Sequence, residues 1–411
     1  MPFDSPGATR DHKHYPALDG LRGVAILLVF MYHYSPHRGT GWLVYLPSGS
    51  WIGVDIFFVL SGFLITGILY DTKGSEHFLR NFYVRRALRL FPLYAIFIAV
   101  VLLTTKGPVG HSWLLTLTYL LYGSNIIRFF LPDFTSIGMI EVGHLWSLAV
   151  EEQFYMLWPW IVILLASRRR ILTVCLYGCA GTLLLRLVLT HLPFSNYEFL
   201  YLELPTRADS LLAGAGLAML VRDKPFMDRI SMVSVRIAGI TAALVFAAMC
   251  VSIHSFSWKT APVNTWGLSL IALASASTLL LSLQPGSWTN LVFSHRTLRF
   301  FGKYSYGLYL LHYTPAHYLK RYFYPHLASH IHSELATGII YFFLILAASS
   351  GLAVLSFHFI EAPFLRLKSK FEMARRRKEE IQTPDAPSPT FGTWVRAKRS
   401  FARRAAYFGK L

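Results

Sequence analysis

Runs of apolar residues long enough to cross a bilayer follow one another along this chain, and they constrain it more than any other feature. A helix needs about 20 apolar residues to cross a hydrocarbon core of about 30 Å. Such runs lie near 20–37, 51–70, 90–105, 144–166, 171–190, 206–222, 233–253, 264–283, 303–323 and 335–358. Hydrophobic residues make up 54% of the chain and charged residues only 15%, against roughly 25% charged in a soluble domain. With so few charges, most of the surface faces lipid. The expected fold class is all-α: a polytopic integral membrane bundle of about ten transmembrane helices.

The remaining charge is one-sided, with 39 Lys and Arg against 21 Asp and Glu, a net +18. A nucleic-acid binder shares that balance but not the repeated membrane-length runs, so nucleic acid is excluded as a partner. In a membrane protein the position of the positive charges reports orientation. With a cytoplasmic N-terminus, and with the further apolar stretch at 112–131 not crossing, the inside segments are 1–22, 71–90, 167–170, 222–236, 284–303 and 364–411. Together they hold 31 of the 39 basic residues. Letting 112–131 cross would place Arg168, Arg169 and Arg170 outside and invert every later loop. The expectation is therefore ten spans, both termini cytoplasmic, and 112–131 as an outer re-entrant or interfacial element.

No internal repeat marks a transporter built from two related halves. Residues 1–19 are polar, and the first apolar run carries Arg22 and His33, which argues against a cleavable signal peptide. Cys175, Cys179 and Cys250 fall inside apolar stretches with no CxxC pair, so neither a metal site nor a disulfide framework is expected. Residues 364–411 carry 13 Lys and Arg against four acids, broken by Pro384, Pro387 and Pro389. Beyond 390, Trp394, Phe401 and Phe408 recur every seven residues, which reads either as an amphipathic helix on the inner leaflet or as a disordered basic tail.

Ionisable side chains inside spans are costly, and each is a functional candidate. In the first span, His33 lies eleven positions after Arg22. With Arg22 at the cytoplasmic boundary, His33 lies about 16 Å deep, near the midplane. An imidazole there suits proton transfer, although a core histidine bonded to a carbonyl reads nearly as well. Asp55, one turn into the second span, reads equally as a group orienting a catalytic residue, an arginine partner, or a carboxylate at a helix N-terminus. Arg86 and Arg89 in the first inside loop are three residues apart, so on a helix they present two guanidinium groups on one face. That fork suits phosphates, but plain topology signalling explains it too. The fourth span opens His144-Leu-Trp-Ser147 and continues to the adjacent acids Glu151 and Glu152. Glu152 lies about 12 Å below the outer surface, a depth at which it would meet His33 as a proton-handling pair. Arg207, Asp209, His312 and Glu361 are further candidates for which a structural role reads as well as chemistry, and Arg186 reads as snorkelling or acid-paired.

Taken together these stretches resemble a known family. An Arg-x10-His in the first span, GVDIFFVLSGFLI, RRALRLFPLY, HLWSLAVEEQFYMLWP, RADSLLAG and YSYGLYLLHY occur in the order of the acyltransferase 3 family, over roughly residues 15–363. Arg22 with His33 match its Arg/Lys-x10-His pair, and Arg86 with Arg89 match its Arg-x-x-Arg. The resemblance implies a 15–363 transmembrane acyltransferase domain, preceded by a cytoplasmic segment 1–14 and followed by the basic tail 364–411. It implies a multi-pass O-acyltransferase of the bacterial inner membrane, with acyl-CoA (usually acetyl-CoA) as cytoplasmic donor and no metal. The acceptor would be a hydroxyl of a glycan or glycolipid, such as lipopolysaccharide, peptidoglycan or exopolysaccharide. Many bacterial relatives add an SGNH hydrolase-like domain. The short tail and the lack of a Gly-x-Ser-x-Gly elbow lead to the expectation of a stand-alone form, which acylates its acceptor itself or passes the group to a separate extracytoplasmic protein.

On this expectation Arg86 and Arg89 dock the CoA phosphates, with Arg22 at the thioester end or on phosphate. His33 is general base or transient acyl carrier, Glu152 or Glu151 holds its imidazole, and Asp55 completes the catalytic set. Ser147, Arg207, Asp209 and His312 form the substrate-binding set. The rival from another class is a transporter with a midplane proton relay, for which paired broken helices would be needed. A different membrane acyltransferase fold with a His/Asn pair fits the motif order less well.

Overall fold

The computed structural model describes residues 15–35, 47–104, 113–130, 136–137, 140–192 and 197–371. The tail helix expected beyond 390 lies outside the described residues.

The chain is helical almost throughout. The first helix, α1 (Pro16–Tyr34), is followed by α2 (Gly53–Thr72), α3 (Phe78–Thr104), and the short α4 (Trp113–Leu120) and α5 (Ser124–Phe130). A two-residue hairpin pairs β1 (Ser136–Ile137) with β2 (Ile140–Glu141). Then come α6 (Leu145–Leu165), α7 (Arg168–Thr190), α8 (Tyr197–Leu202), α9 (Leu204–Val221), α10 (Lys224–Arg229), α11 (Met232–Ser252) and α12 (Leu268–Ser282). After α13 (Trp288–Phe293) and α14 (Arg296–Lys303), α15 (Ser305–Leu311), α16 (Tyr313–Tyr318) and α17 (Tyr324–His330) form a segmented ascent. The long α18 (Glu334–Ser356) passes through a wide π turn at Phe357–Glu361 into α19 (Ala362–Arg366).

Among the described residues, eight helices are long and apolar enough to cross a membrane, so the chain is an all-α polytopic membrane protein. The two other runs are helical as well. One is α9, only 18 residues long and carrying Arg207 and Asp209. The other is the α15–α17 ascent, where a π turn at Leu319–Phe323 and a break at His312 divide the run. The stretch at 112–131 contains no spanning helix. Its helices have 8 and 7 residues, or about 12 Å each at 1.5 Å per residue.

Two boundaries differ from expectation in ways that move the site. Pro16 starts α1 six residues before Arg22, because proline at a first helical turn costs nothing and pre-sets φ. His33 therefore sits in the last turn of α1, towards its C-terminal end, rather than at mid-length. Helix α3 begins at Phe78, so Arg86 and Arg89 lie on the helix itself and not in a loop.

Small residues bring backbones together at the centre, as helix packing without a hydrophobic drive between helices requires. Helix α9 packs on α2, α7 and α12, and α1 on α2 and α14. A Cβ on Gly62 of α2 would stand 1.9 Å from the Leu211 carbonyl of α9, and one on Gly214 of α9 would stand 1.9 Å from that of Val59. The peripheral α11 buries only Ala242, Phe246 and Cys250 and turns the rest of its apolar surface outward. Cys175 and Cys250 are buried, and all three cysteines are free.

Candidate active site

The titratable residues collect in three places. In the first, the Arg86 guanidinium of α3 lies 3.5 Å from the centre of the Tyr155 ring of α6. Its Nη2 pairs with Glu152 Oε1 at 3.4 Å. Glu152 and Tyr155 are three apart on α6, so one helical face supplies both partners. Between α3 and α6 is a cavity of about 210 Å³ lined by Arg86, Glu152, Tyr155, Tyr83, Tyr122 and Phe91 among others. Glu151 points to α2, where it accepts a 2.6 Å hydrogen bond from Ser61 Oγ. Arg22 from α1 lies within electrostatic reach of Glu151 and Arg86, and Arg89 within reach of both arginines and of Glu361. Among the described residues neither Arg22 nor Arg89 makes a hydrogen bond or ion pair, and Arg89 is exposed. The inner end of α3 is held by Arg85, which donates to the carbonyls of Lys368 and Phe371. Lys368 thereby joins the arginines, a residue that sequence reasoning left in the tail.

At the C-terminal end of α1 and the N-terminal end of α6, three imidazoles converge. The ring of His33 is 5.2 Å from that of His312 and 5.2 Å from Tyr313, while His144 is 4.9 Å from His312. His33 Nδ1 lies 2.8 Å from the Val29 carbonyl. That contact puts the proton on Nδ1 and leaves Nε2 as the basic nitrogen, an assignment made from the bonding. Ser147 Oγ shares a 2.5 Å hydrogen bond with the Tyr309 hydroxyl, so Ser147 borders the same cluster. His144, Tyr309 and Tyr313 were not singled out from sequence. His144 stood in view at the head of its motif, but only the fold brings α15 and α16 beside it.

The expected meeting of His33 with Glu152 does not occur. All contacts of Glu152 go elsewhere, to Arg86, and none joins it to His33. Helix α2 packs against both α1 and α6, and its Ser61 takes Glu151. Depth along two helices does not bring their side chains together when a third stands between.

The third place is a pair of ion pairs with no solvent at all. Arg207 Nη2 donates to Asp55 Oδ1 at 2.9 Å, with Ser210 Oγ on the same oxygen at 2.9 Å. Arg186 Nη2 donates to Asp209 Oδ2 at 2.6 Å and to Ser269 Oγ at 2.6 Å. Asp55, Arg186 and Arg207 are 0% exposed and Asp209 is 2% exposed. Arg207 is further boxed by Tyr201, Phe58 and Trp146. These pairs fasten α9 to α2, α7 and α12. The arrangement places Asp55, Arg207 and Asp209 in the framework behind the two ends of the site. Among the described residues, no group of three or more His, Cys, Asp or Glu side chains is placed to hold a metal.

Helix α1 thus carries Arg22 beside the basic cluster and His33 in the imidazole cluster, both sets of groups that serve group transfer. Comparison with known proteins agrees in kind. The family model described as the acyltransferase domain matches residues 15–358. The chain is 31% identical to the peptidoglycan O-acetyltransferase OatA of Listeria monocytogenes, over 85% of this chain and 56% of that protein. It is 32% identical to the putative peptidoglycan O-acetyltransferase YrhL of Bacillus subtilis, over 86% of this chain and 55% of that one. It is also 29% identical to a putative O-acetyltransferase of Staphylococcus aureus strain COL, over 86% and 57%. The chain thus spans little more than half the length of these relatives. No solved structure matches it. Since the family model covers residues 15–358, from α1 to the end of α18, the chain belongs to the acyltransferase 3 family.

Proposed function

We propose that the chain is a membrane O-acetyltransferase that moves an acetyl group from acetyl-CoA on the cytoplasmic side of a bacterial inner membrane to a glycan hydroxyl. The observation that carries this reading is the division of the site along α1, with Arg22 in its first half beside the other arginines and His33 in its last turn. Eleven residues of helix separate them by about 16 Å, a span of the order of an extended pantetheine arm. Arg22, Arg86 and Arg89 take the CoA phosphates at the end where basic residues gather. Arg89 is open to an incoming phosphate, and Arg86 reaches one by exchanging Glu152 for it, a swap of one charge-assisted hydrogen bond for another. Lys368 adds a fourth positive charge.

His33 Nε2 takes the proton of the acceptor hydroxyl as the hydroxyl oxygen attacks the acetyl carbonyl; the thioester C–S bond breaks and the CoA sulfur leaves as the thiol, taking that proton, or His33 first carries the acetyl group, displacing the CoA thiol, and then hands it to the hydroxyl. Glu151, held by Ser61, and Glu152, held by Arg86, set the charge around the thioester rather than touching the imidazole. The acceptor class follows from the relatives' names, peptidoglycan before other surface glycans such as lipopolysaccharide. A separate extracytoplasmic protein remains a candidate partner for the last transfer. The acyltransferase unit runs over 15–363, with both termini and the basic tail on the cytoplasmic side.

The test is acetyl transfer by purified protein in lipid nanodiscs, supplied with radiolabelled acetyl-CoA and muropeptide glycans. Wild type is expected to label the glycan, and His33→Ala to lower the rate by about 10²–10⁴ while folding normally. A wild-type protein that leaves acetyl-CoA untouched, or a His33→Ala protein of normal rate, refutes the proposal.

A further inference from the structure

Three imidazoles in one buried place present an unusual balance of donors and acceptors. His312 Nδ1 lies 2.7 Å from the Tyr309 carbonyl, and His144 Nε2 lies 3.3 Å from the Leu310 carbonyl. A carbonyl accepts only, so in the neutral rings those nitrogens carry the protons. The opposite nitrogens, His312 Nε2 and His144 Nδ1, are then bare acceptors. Both are sealed from solvent, and neither has a hydrogen-bond partner. The Tyr34 hydroxyl beside them has none either. His312 is 0% exposed and His144 is 5% exposed.

Buried polar atoms in native structures are nearly always paired, so two orphaned acceptors on adjoining rings call for a donor. The donor set they ask for is specific. A phosphate or thioester oxygen brings more lone pairs and is turned away, and among the described residues no third ligand is placed to complete a metal site. A neutral polyol brings hydroxyl hydrogens. The surroundings fit a sugar face, since Tyr313 lies 4.4 Å from His312 and 4.9 Å from His144 by ring centres. Tyr34 packs at 5.8 Å from His312. Tyr34 and Tyr313 stand within electrostatic reach of the exposed Glu141 on the hairpin, the polar rim above them.

We infer that His144 and His312 form an acceptor-sugar subsite, whose free nitrogens accept hydrogen bonds from hydroxyls neighbouring the one that reacts at His33. The inference rests on the proposed acetyltransferase reading for the role of His33, but sugar binding to the subsite is measurable without any turnover. Both rings position the acceptor, whereas His33 alone exchanges the proton.

The experiment titrates chitotriose, a neutral trisaccharide of N-acetylglucosamine, into nanodisc-embedded protein and follows aromatic fluorescence. Four proteins are compared: wild type, His312→Phe, His312→Gln and His144→Phe, with melting temperature and acetyl-CoA affinity measured on each. Phe keeps a ring and removes the acceptor, and Gln restores an acceptor oxygen. Loss of one neutral hydrogen bond at a buried site should weaken chitotriose about tenfold for each Phe variant. The Gln variant should recover most of that loss, and acetyl-CoA affinity should not move. Where turnover is seen, the change should fall on the KM for the sugar and not on that for acetyl-CoA.

Chitotriose binding by wild type without acetyl transfer would leave the subsite standing and count against the enzymatic reading. Absence of chitotriose binding by wild type, or equal binding by wild type and both Phe variants, overturns the inference and assigns the two nitrogens to buried water. A Phe variant that unfolds is replaced by the Gln and wild-type comparison, in which His312→Gln matching wild type while His312→Ala binds tenfold more weakly supports the subsite. Equal binding by those two overturns it.

Discussion

Removing Asp55 separates a framework role from a chemical one. The Asp55 carboxylate holds Arg207 Nη2 at 2.9 Å with both side chains 0% exposed, and Nε and Nη1 of Arg207 have no other partner. Asp55→Ala leaves a guanidinium buried among Tyr201, Phe58 and Trp146 without its counter-charge. Breaking a buried pair by deleting one partner costs about 3–5 kcal/mol, because the survivor stays unsolvated. At roughly 2 °C per kcal/mol for a chain of this size, the melting temperature in detergent should fall by about 6–10 °C. The double change Asp55→Ala with Arg207→Met removes both charges and offers the aromatic box a flexible apolar side chain. It should regain most of the lost stability, and acetyl transfer with it. The assay is thermal unfolding followed by tryptophan fluorescence, with acetyl-CoA turnover measured on the same preparations. If the double variant stays as unstable as Asp55→Ala, the pair does not act through its charges. If it is stable and inactive, Asp55 belongs to the chemistry and the framework assignment is wrong.

The arginine end should separate from topology signalling by calorimetry. Arg86→Ala with Arg89→Ala is expected to weaken acetyl-CoA binding on the order of a hundredfold, since each charge-assisted bond contributes about 1.5–3 kcal/mol. Arg89→Lys should weaken it moderately, and equal affinities would leave these residues as orientation signals only. Cysteine reporters at Lys106 and Ser136 should both react with an impermeant thiol reagent from outside. Labelling of only one would mean that the segment containing α4 and α5 crosses. At the α2–α9 contact, Gly62→Ala or Gly214→Ala should lower the melting temperature measurably, because the new methyl meets a carbonyl at 1.9 Å. An unchanged melting temperature would show that the two helices are not packed backbone to backbone.

Much of the architecture is legible in one dimension. Whether a stretch crosses a membrane depends on its own length and polarity, so α2, α6, α7, α11 and α18 fall within a few residues of their apolar runs. The failure of 112–131 to form a spanning helix was readable from the basic residues counted loop by loop. Even at the ends, however, helix signals compete with hydropathy. Pro16 and Phe78 open α1 and α3 earlier than the apolar runs begin, which draws His33 towards the C-terminal end of α1 and lifts Arg86 and Arg89 onto a helix.

What only the tertiary structure decided is which ionisable group faces which. Depth along a helix is a single coordinate, and partner choice needs two more. Depth alone reads His33 and Glu152 as meeting, yet α2 stands between their helices and gives them different neighbours, His312 and Arg86. Asp55, Arg207 and Asp209 look like candidates for chemistry when taken singly, and Arg186 reads as snorkelling or acid-paired. Packed, they neutralise one another, because a charge kept from water must find a counter-charge within reach, and the side-by-side order of α2, α9 and α7 supplies it. The same lateral order carries His144 to His312 across 168 residues of sequence, and no periodicity in the chain records that meeting.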